Sequence, residues 1–110
     1  MTNEQFIENI KASYAQGVAI IEKKNADYAT VADPFKNFRS AEIAGVDVER
    51  AIIVRVLDKL SRVSNCLDKD PVVVEETVAD TLLDAINYLA ILKAHRELVT
   101  IPSLTKTNLV

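Results

Sequence analysis

Residues 75–97 read EETVADTLLDAINYLAILKAHRE, and this stretch decides the fold. Val78, Leu82, Ala85, Ile86, Leu89 and Leu92 recur at three- and four-residue spacing, the mark of one apolar helical face. Glu75 and Glu76 open the stretch, and Lys93, His95 and Arg96 close it, which complements the helix dipole at both ends. The pattern predicts a helix over 75–97. Asp70-Pro71 and the β-branched run Val72-Val73-Val74 before it read as an extended or weakly helical lead-in.

Working outward, the preceding segment predicts a helix over 48–68 with Asp47 as its cap. On a wheel of roughly 100° per residue, Ile52, Val56, Leu57, Leu60, Val63 and Leu67 gather on one side. Arg55, Asp58, Lys59, Arg62 and Asn65 gather on the other. Further upstream, Asp33-Pro34 suits a helix start, and Gly45 suits a left-handed stop. The result is a short helix over 34–44 anchored by Phe35, Phe38 and Ile43. Residues 25–33 read as an ordered loop. A first helix over 3–24 starts at Thr2 and Gln5, which have capping-box spacing, and Phe6, Ile7, Ile10, Tyr14, Val18 and Ile21 form its apolar face. Residues 99–110 read as a frayed tail or an arm laid on a neighbouring subunit. The expectation is a single all-α domain over 1–98, a compact bundle of about four helices.

Composition agrees. With 110 residues, 49% hydrophobic and 26% charged, the chain is a globular domain rather than a disordered one. Two glycines and three prolines are too few for the many turns of an all-β fold. A formal charge of −3 argues against a nucleic-acid polymer as the partner. Cys66 is the single cysteine, so neither an intrachain disulfide nor a thiolate metal cage is available. The opening residues MTNEQF lack a basic, apolar leader, and no apolar run approaches the ~20 residues of a membrane span. The expectation is a cytoplasmic protein with no membrane partner. A chain this short has little room for a deep pocket, so a small-molecule site would call on helices of two subunits.

The chemistry-bearing residues cluster on the last two helices. Glu76, Asp80 and Asp84 are spaced by four, with Asn87 one turn further on. Like charges at that spacing repel. Such a stripe is either a solvated acidic face or a set of Mg²⁺ ligands completed by water and phosphate oxygens. Arg55, Asp58, Lys59 and Arg62 form the facing polar stripe. Packed antiparallel, the two helices would bring cations and carboxylates into one cleft, the equipment for a Mg-bound polyphosphate. The same spacing equally describes a salt-bridged bundle in which Lys59 and Arg62 pair with Asp80 and Asp84. The loop with Lys24, Asp27, Tyr28, Phe35, Asn37 and Phe38 could stack on a base, or its aromatic rings could plug the core. His95 stands alone near a helix end, and Cys66 has no base nearby, so neither carries a catalytic role. The absence of a Gly-rich loop excludes P-loop and Rossmann modes of nucleotide binding.

The ordered series Lys24-x-x-Asp27-Tyr28, Phe35-x-Asn37-Phe38, Gly45, Arg55-x-x-Asp58-Lys59-x-x-Arg62 and Asp80-Thr81-x-x-Asp84-x-x-Asn87-Tyr88 resembles the nucleotide-modification-associated domain family. That family is largely phage and bacterial, and is itself similar to MazG-like all-α nucleoside triphosphate pyrophosphohydrolases. The resemblance covers about residues 20–95. It implies an oligomerising helical fold, as a dimer or tetramer, with Mg²⁺ (or Mn²⁺) held by carboxylates of two adjacent helices. It also implies hydrolysis of a nucleotide to a monophosphate and pyrophosphate.

Carried onto this chain, Asp80, Asp84 and Lys59 would be catalytic. Asp80, Asp84 and Asp58 would be metal ligands, with Glu76 added by its place on the acidic stripe rather than by the resemblance. Lys24, Asp27, Tyr28, Asn37, Phe38, Arg55, Arg62 and Asn87 would contact substrate. The MazG-like enzymes carry a Glu-x-x-Glu pair where this chain has Asp58 among three cations, and Ala29 stands where many relatives have Gly. Two alternatives therefore stand beside the hydrolase: a protein that binds a nucleotide without turning it over, and a structural helical module.

Overall fold

The computed structural model describes residues 1–27, 33–69 and 71–100, side chains excepted at 26–27 and 71–76. Its elements are α1 (Asn3–Asp27), α2 (Lys36–Arg39) continued by a 3-10 turn (Ser40–Ala44), α3 (Val48–Cys66) and α4 (Pro71–Thr100). The described residues contain no strand, and the chain is an all-α bundle. None of the helices is long and apolar enough to cross a membrane.

Local chemistry sets the boundaries. Thr2 and Gln5 form a reciprocal capping box: the Thr2 N–H donates to Gln5 Oε1 (2.8 Å), and the Gln5 N–H donates to Thr2 Oγ1 (3.1 Å). Asp33 accepts from the Phe35 N–H at 3.0 Å, turning the chain into α2. Gly45 adopts φ 80°, a left-handed stop that closes the 3-10 turn. Asp47 caps α3 by accepting from the Arg50 N–H at 2.8 Å. Several boundaries differ from expectation: α2 starts at Lys36, α3 stops at Cys66, α4 runs on past 97 to Thr100, and the two largest shifts are in α1 and at the start of α4. Helix α1 continues through Asn25, Ala26 and Asp27, which the sequence pattern assigned to a loop. Helix α4 begins at Pro71, so Val72-Val73-Val74 is helical. Pro is suited to a first helical turn, and β-branched residues cost a helix only tenths of a kcal/mol each.

Helices α3 and α4 pack antiparallel and form the main contact of the fold. Glu49 at the start of α3 meets His95 near the end of α4, and Lys59 further along meets Asp84. The α3 seam is Val48, Ile52, Val56, Lys59, Val63 and Cys66. The α4 seam is Val78, Thr81, Ala85, Tyr88, Leu92 and His95. Along both seams the residues recur every three or four positions, the spacing of one helix face. Phe35, the residue before α2, and Phe38 within it insert at the Glu49–His95 end, where Ile52 is fully buried.

The seam corrects the wheel reading of α3. Lys59 faces α4, whereas Leu57 and Leu60 are 58% and 48% exposed. Helix α3 carries two apolar stripes about one residue-step apart, Ile52/Val56/Val63 and Ile53/Leu57/Leu60/Leu67. The wheel averages them, and α4 covers only the first. Leu82 and Leu89 of α4 are likewise exposed, while Thr81 and Ala85 are buried. Ile43, expected as an anchor, is 94% exposed on the 3-10 turn. Helix α1 packs on α4 and not on α3. A Cβ at Gly17 would stand 2.5 Å from Asn87 Oδ1, so glycine permits this close crossing. The apolar face of α1 is only partly used: Phe6, Ile7, Ile10, Tyr14 and Val18 remain exposed.

Candidate functional site

Two clusters of charge lie along the α3·α4 seam. The first sits at the α2 end. Glu49 Oε2 is 2.7 Å from His95 Nδ1, and Glu49 Oε1 accepts from the Arg96 guanidinium at 2.9 Å. A carboxylate can only accept, so Nδ1 carries the proton in this tautomer. The Phe35 ring meets His95 edge-on, with centroids 4.8 Å apart. Arg39 pairs with Asp33, and Arg50 pairs with Asp47. These contacts hold three carboxyls below the usual carboxylate range: Glu49 by the His95 and Arg96 hydrogen bonds, Asp33 by Arg39 and the Phe35 N–H, and Asp47 by the Arg50 N–H and guanidinium. An open cleft of about 410 Å³ lies over this cluster, and its arginines are all engaged by carboxylates.

The second cluster holds the residues singled out in the sequence. Lys59 Nζ lies 3.2 Å from Asp84 Oδ2, with the lysine side chain largely buried and the aspartate half-exposed. The lysine stem lies along the seam while its ammonium reaches the edge. Three residues on along α3 is Arg62, and four back along α4 is Asp80, so this pair stands level, one turn beyond Lys59–Asp84. In an antiparallel pair the flank of α3 that carries Arg55, Asp58 and Arg62 coincides with the flank of α4 that carries Asp80 and Asp84. The opposite flanks, with Ile53, Leu57, Leu60 and Leu67 on α3 and Leu82 and Leu89 on α4, coincide likewise. The helix pair thus has one polar and one apolar side. Among the described residues, Arg55, Asp58, Arg62 and Asp80 are exposed and take part in no ion pair within 4.0 Å.

The other expected site residues divide. Asn87 is buried where α1 crosses α4, beside Gly17. Phe38 is buried edge-on against Tyr88, with centroids 6.1 Å apart, and acts as a core plug, as does Phe35. Lys24 and Asn37 are exposed on α1 and α2. Tyr28 and the side chains of Asp27 and Glu76 lie outside the described residues. Among the described residues no three His, Cys, Asp or Glu side chains converge. The His95–Glu49 pair was not foreseen, because the partners are far apart in sequence. The signal that could have found it is the antiparallel register itself, which sets the first turn of α3 against the last turns of α4.

Comparison with known proteins returns no match: no family model fits the sequence, and no curated protein or solved structure is similar to it.

Proposed function

We propose that the polar side of the α3·α4 pair binds a nucleoside triphosphate with Mg²⁺ and hydrolyses it between the α and β phosphates, giving a monophosphate and pyrophosphate. The observation that supports this reading is the antiparallel register, with Lys59 against Asp84 and Arg62 level with Asp80 on one accessible flank. Mg²⁺ is usually held by one or two carboxylates together with water and substrate phosphates. Asp80 and Asp84, one turn apart, suit that demand, with Asp58 and Glu76 as further candidates. When bound, the ion supplies positive charge to the phosphates. Arg55, Lys59 and Arg62 add cationic donors for phosphate oxygens. Water is the nucleophile, and an aspartate of the pair takes its proton. The reading includes a cytoplasmic location and self-association as a dimer or tetramer.

A second reading, binding without turnover, is favoured by one observation: Asp84 is already engaged by Lys59. The test is a panel of ribo- and deoxynucleoside triphosphates with Mg²⁺ or Mn²⁺, scored for pyrophosphate and for melting temperature. Pyrophosphate release that is lost in Asp84→Asn supports the hydrolase. Turnover unchanged in Asp84→Asn overturns the assigned roles. A nucleotide-dependent stabilisation of about 2.7 kcal/mol at a hundredfold excess over Kd, with the ligand recovered intact, selects the binder. Neither turnover nor stabilisation leaves Lys59–Asp84 as a structural ion pair.

A further inference from the structure

The cleft over the Glu49–His95 end takes no part in the proposed chemistry, and its walls carry hydrogen-bonding groups with capacity to spare. It is an open space of about 410 Å³ between the 3-10 turn, the start of α3 and the last turns of α4. His95 is largely buried in its wall, with Glu49 accepting the Nδ1 proton. Nε2 has no partner among the described residues. No buried side-chain nitrogen or oxygen among them lacks a hydrogen bond, so Nε2 is reached by solvent. A neutral imidazole protonated on Nδ1 presents Nε2 as an acceptor.

The arginines of the cleft are not equally committed. Asp33 takes both the Nε and the Nη2 donors of Arg39. Arg50 and Arg96 each give only Nη1, to Asp47 and to Glu49. Their Nε–Nη2 edges are unbonded among the described residues, and both side chains are exposed. Such an edge is the pair of parallel donors that grips a carboxylate. Around the cleft Arg39, Arg50 and Arg96 are balanced by Glu42, Asp47 and Glu49, so it suits a singly charged ligand rather than a polyphosphate. Open donor edges beside an unpartnered acceptor call for a ligand with an oxyanion at one place and a hydroxyl at another. A site with an acceptor for a ligand hydroxyl rejects the analogue that lacks it, because the acceptor is then left unpaired.

We infer that this cleft binds a small hydroxycarboxylate, its carboxylate on the open edges of Arg96 and Arg50 and its hydroxyl donating to His95 Nε2. The site is separate from the polar flank of α3 and α4 and stands whatever that flank binds. His95 is the single histidine, so its ring signals in the NMR spectrum of the full, 15N-labelled chain identify themselves. Titration with glycolate, the simplest such ligand, is expected to move the Nε2 signal saturably. Acetate, which has the same charge and no hydroxyl, is expected to bind about tenfold more weakly. Arg96→Gln and Arg50→Gln each weaken glycolate several-fold, and Asp84→Asn, which tests the polar flank, leaves it unchanged. Should Arg96→Gln lose its helical circular dichroism, Arg50→Gln and the comparison of the two anions on the wild-type chain decide. Equal binding of glycolate and acetate overturns the inference, as does an Nε2 signal that glycolate leaves in place, or glycolate binding indifferent to the arginine variants.

Discussion

The two ends of the α3·α4 seam use charge in opposite ways. At the Glu49–His95 end each carboxylate has its cation: Glu49 serves His95 and Arg96, Asp33 takes Arg39, and Asp47 takes Arg50. Phe35, Phe38 and Ile52 lie directly beneath. At the Lys59–Asp84 level one ion pair closes the edge, and Arg55, Asp58, Arg62 and Asp80 stand free of ion pairs among the described residues. Charges beside the core are tied to one another, whereas those a few turns away are exposed and unpaired among the described residues. If this contrast is sound, substitutions at the first end lower stability, and substitutions at the second spare it and change ligand response.

The largest effect is expected from Phe35→Ala. The ring is buried against His95 and packs with Ile52, so truncation costs about 3–5 kcal/mol. Urea unfolding followed by circular dichroism measures it. A loss below about 1 kcal/mol would mean that this end is not the anchor of the fold.

Glu49→Gln comes next. It removes the charge that His95 and Arg96 share, at a half-buried position, and costs about 1–2 kcal/mol near neutral pH. The pH dependence has a definite sign. The folded-state carboxyl of Glu49 titrates below its ordinary value, held down first by the His95 hydrogen bond and then by Arg96. Its contribution is therefore present above the unfolded glutamate value of about 4.3 and is lost as pH falls through the lower folded value. Asp33 and Asp47 act in the same direction at the same end. Wild-type stability should fall on acidification below about pH 4.3, and Glu49→Gln should flatten that fall. A variant with an unaltered acid limb breaks the assignment.

How far the sequence carried these conclusions can be read from individual residues. Periodicity was enough for the helices, and the caps at Thr2, Asp47 and Gly45 are local, so their chemistry is visible in a few neighbouring residues. Which stripe of α3 faces inward was not visible. Two apolar stripes compete there, and the winner depends on the small residues Thr81 and Ala85 of the partner helix. Lys59–Asp84 was visible as one of two alternatives, because four-residue spacing on antiparallel helices allows the pair without requiring it. His95–Glu49 was hidden by sequence distance. Phe38 and Asn87 had residue types suited to a ligand, and their burial came from packing against Tyr88 and Gly17.

At the open end, Lys59→Met removes one ion pair at the edge of the seam. Its partner carboxylate is half-exposed, and such pairs contribute at most about 1 kcal/mol. The unfolding midpoint should hardly move, because the methionine keeps most of the apolar stem that lies along α4. Nucleotide-dependent stabilisation, where the panel finds it, should fall. A stability loss as large as that of Glu49→Gln would place Lys59 with the tied end and remove the contrast.

The smallest change in stability is expected from Arg62→Ala and Asp80→Asn. Both side chains are exposed and free of ion pairs among the described residues, so each substitution should stay within about 0.5 kcal/mol. They stand level on the polar side, one cationic and one acidic, so they separate the two halves of the proposed chemistry. Arg62→Ala should weaken binding of the triphosphate whether or not Mg²⁺ is present, because a cation meets phosphate directly. Asp80→Asn should weaken binding only when Mg²⁺ is present, because a carboxylate repels phosphate unless an ion lies between them. Calorimetric titration with and without Mg²⁺ reads both. Equal losses in the two variants, independent of the metal, would leave the flank an anion-binding surface and take the aspartates out of the metal site.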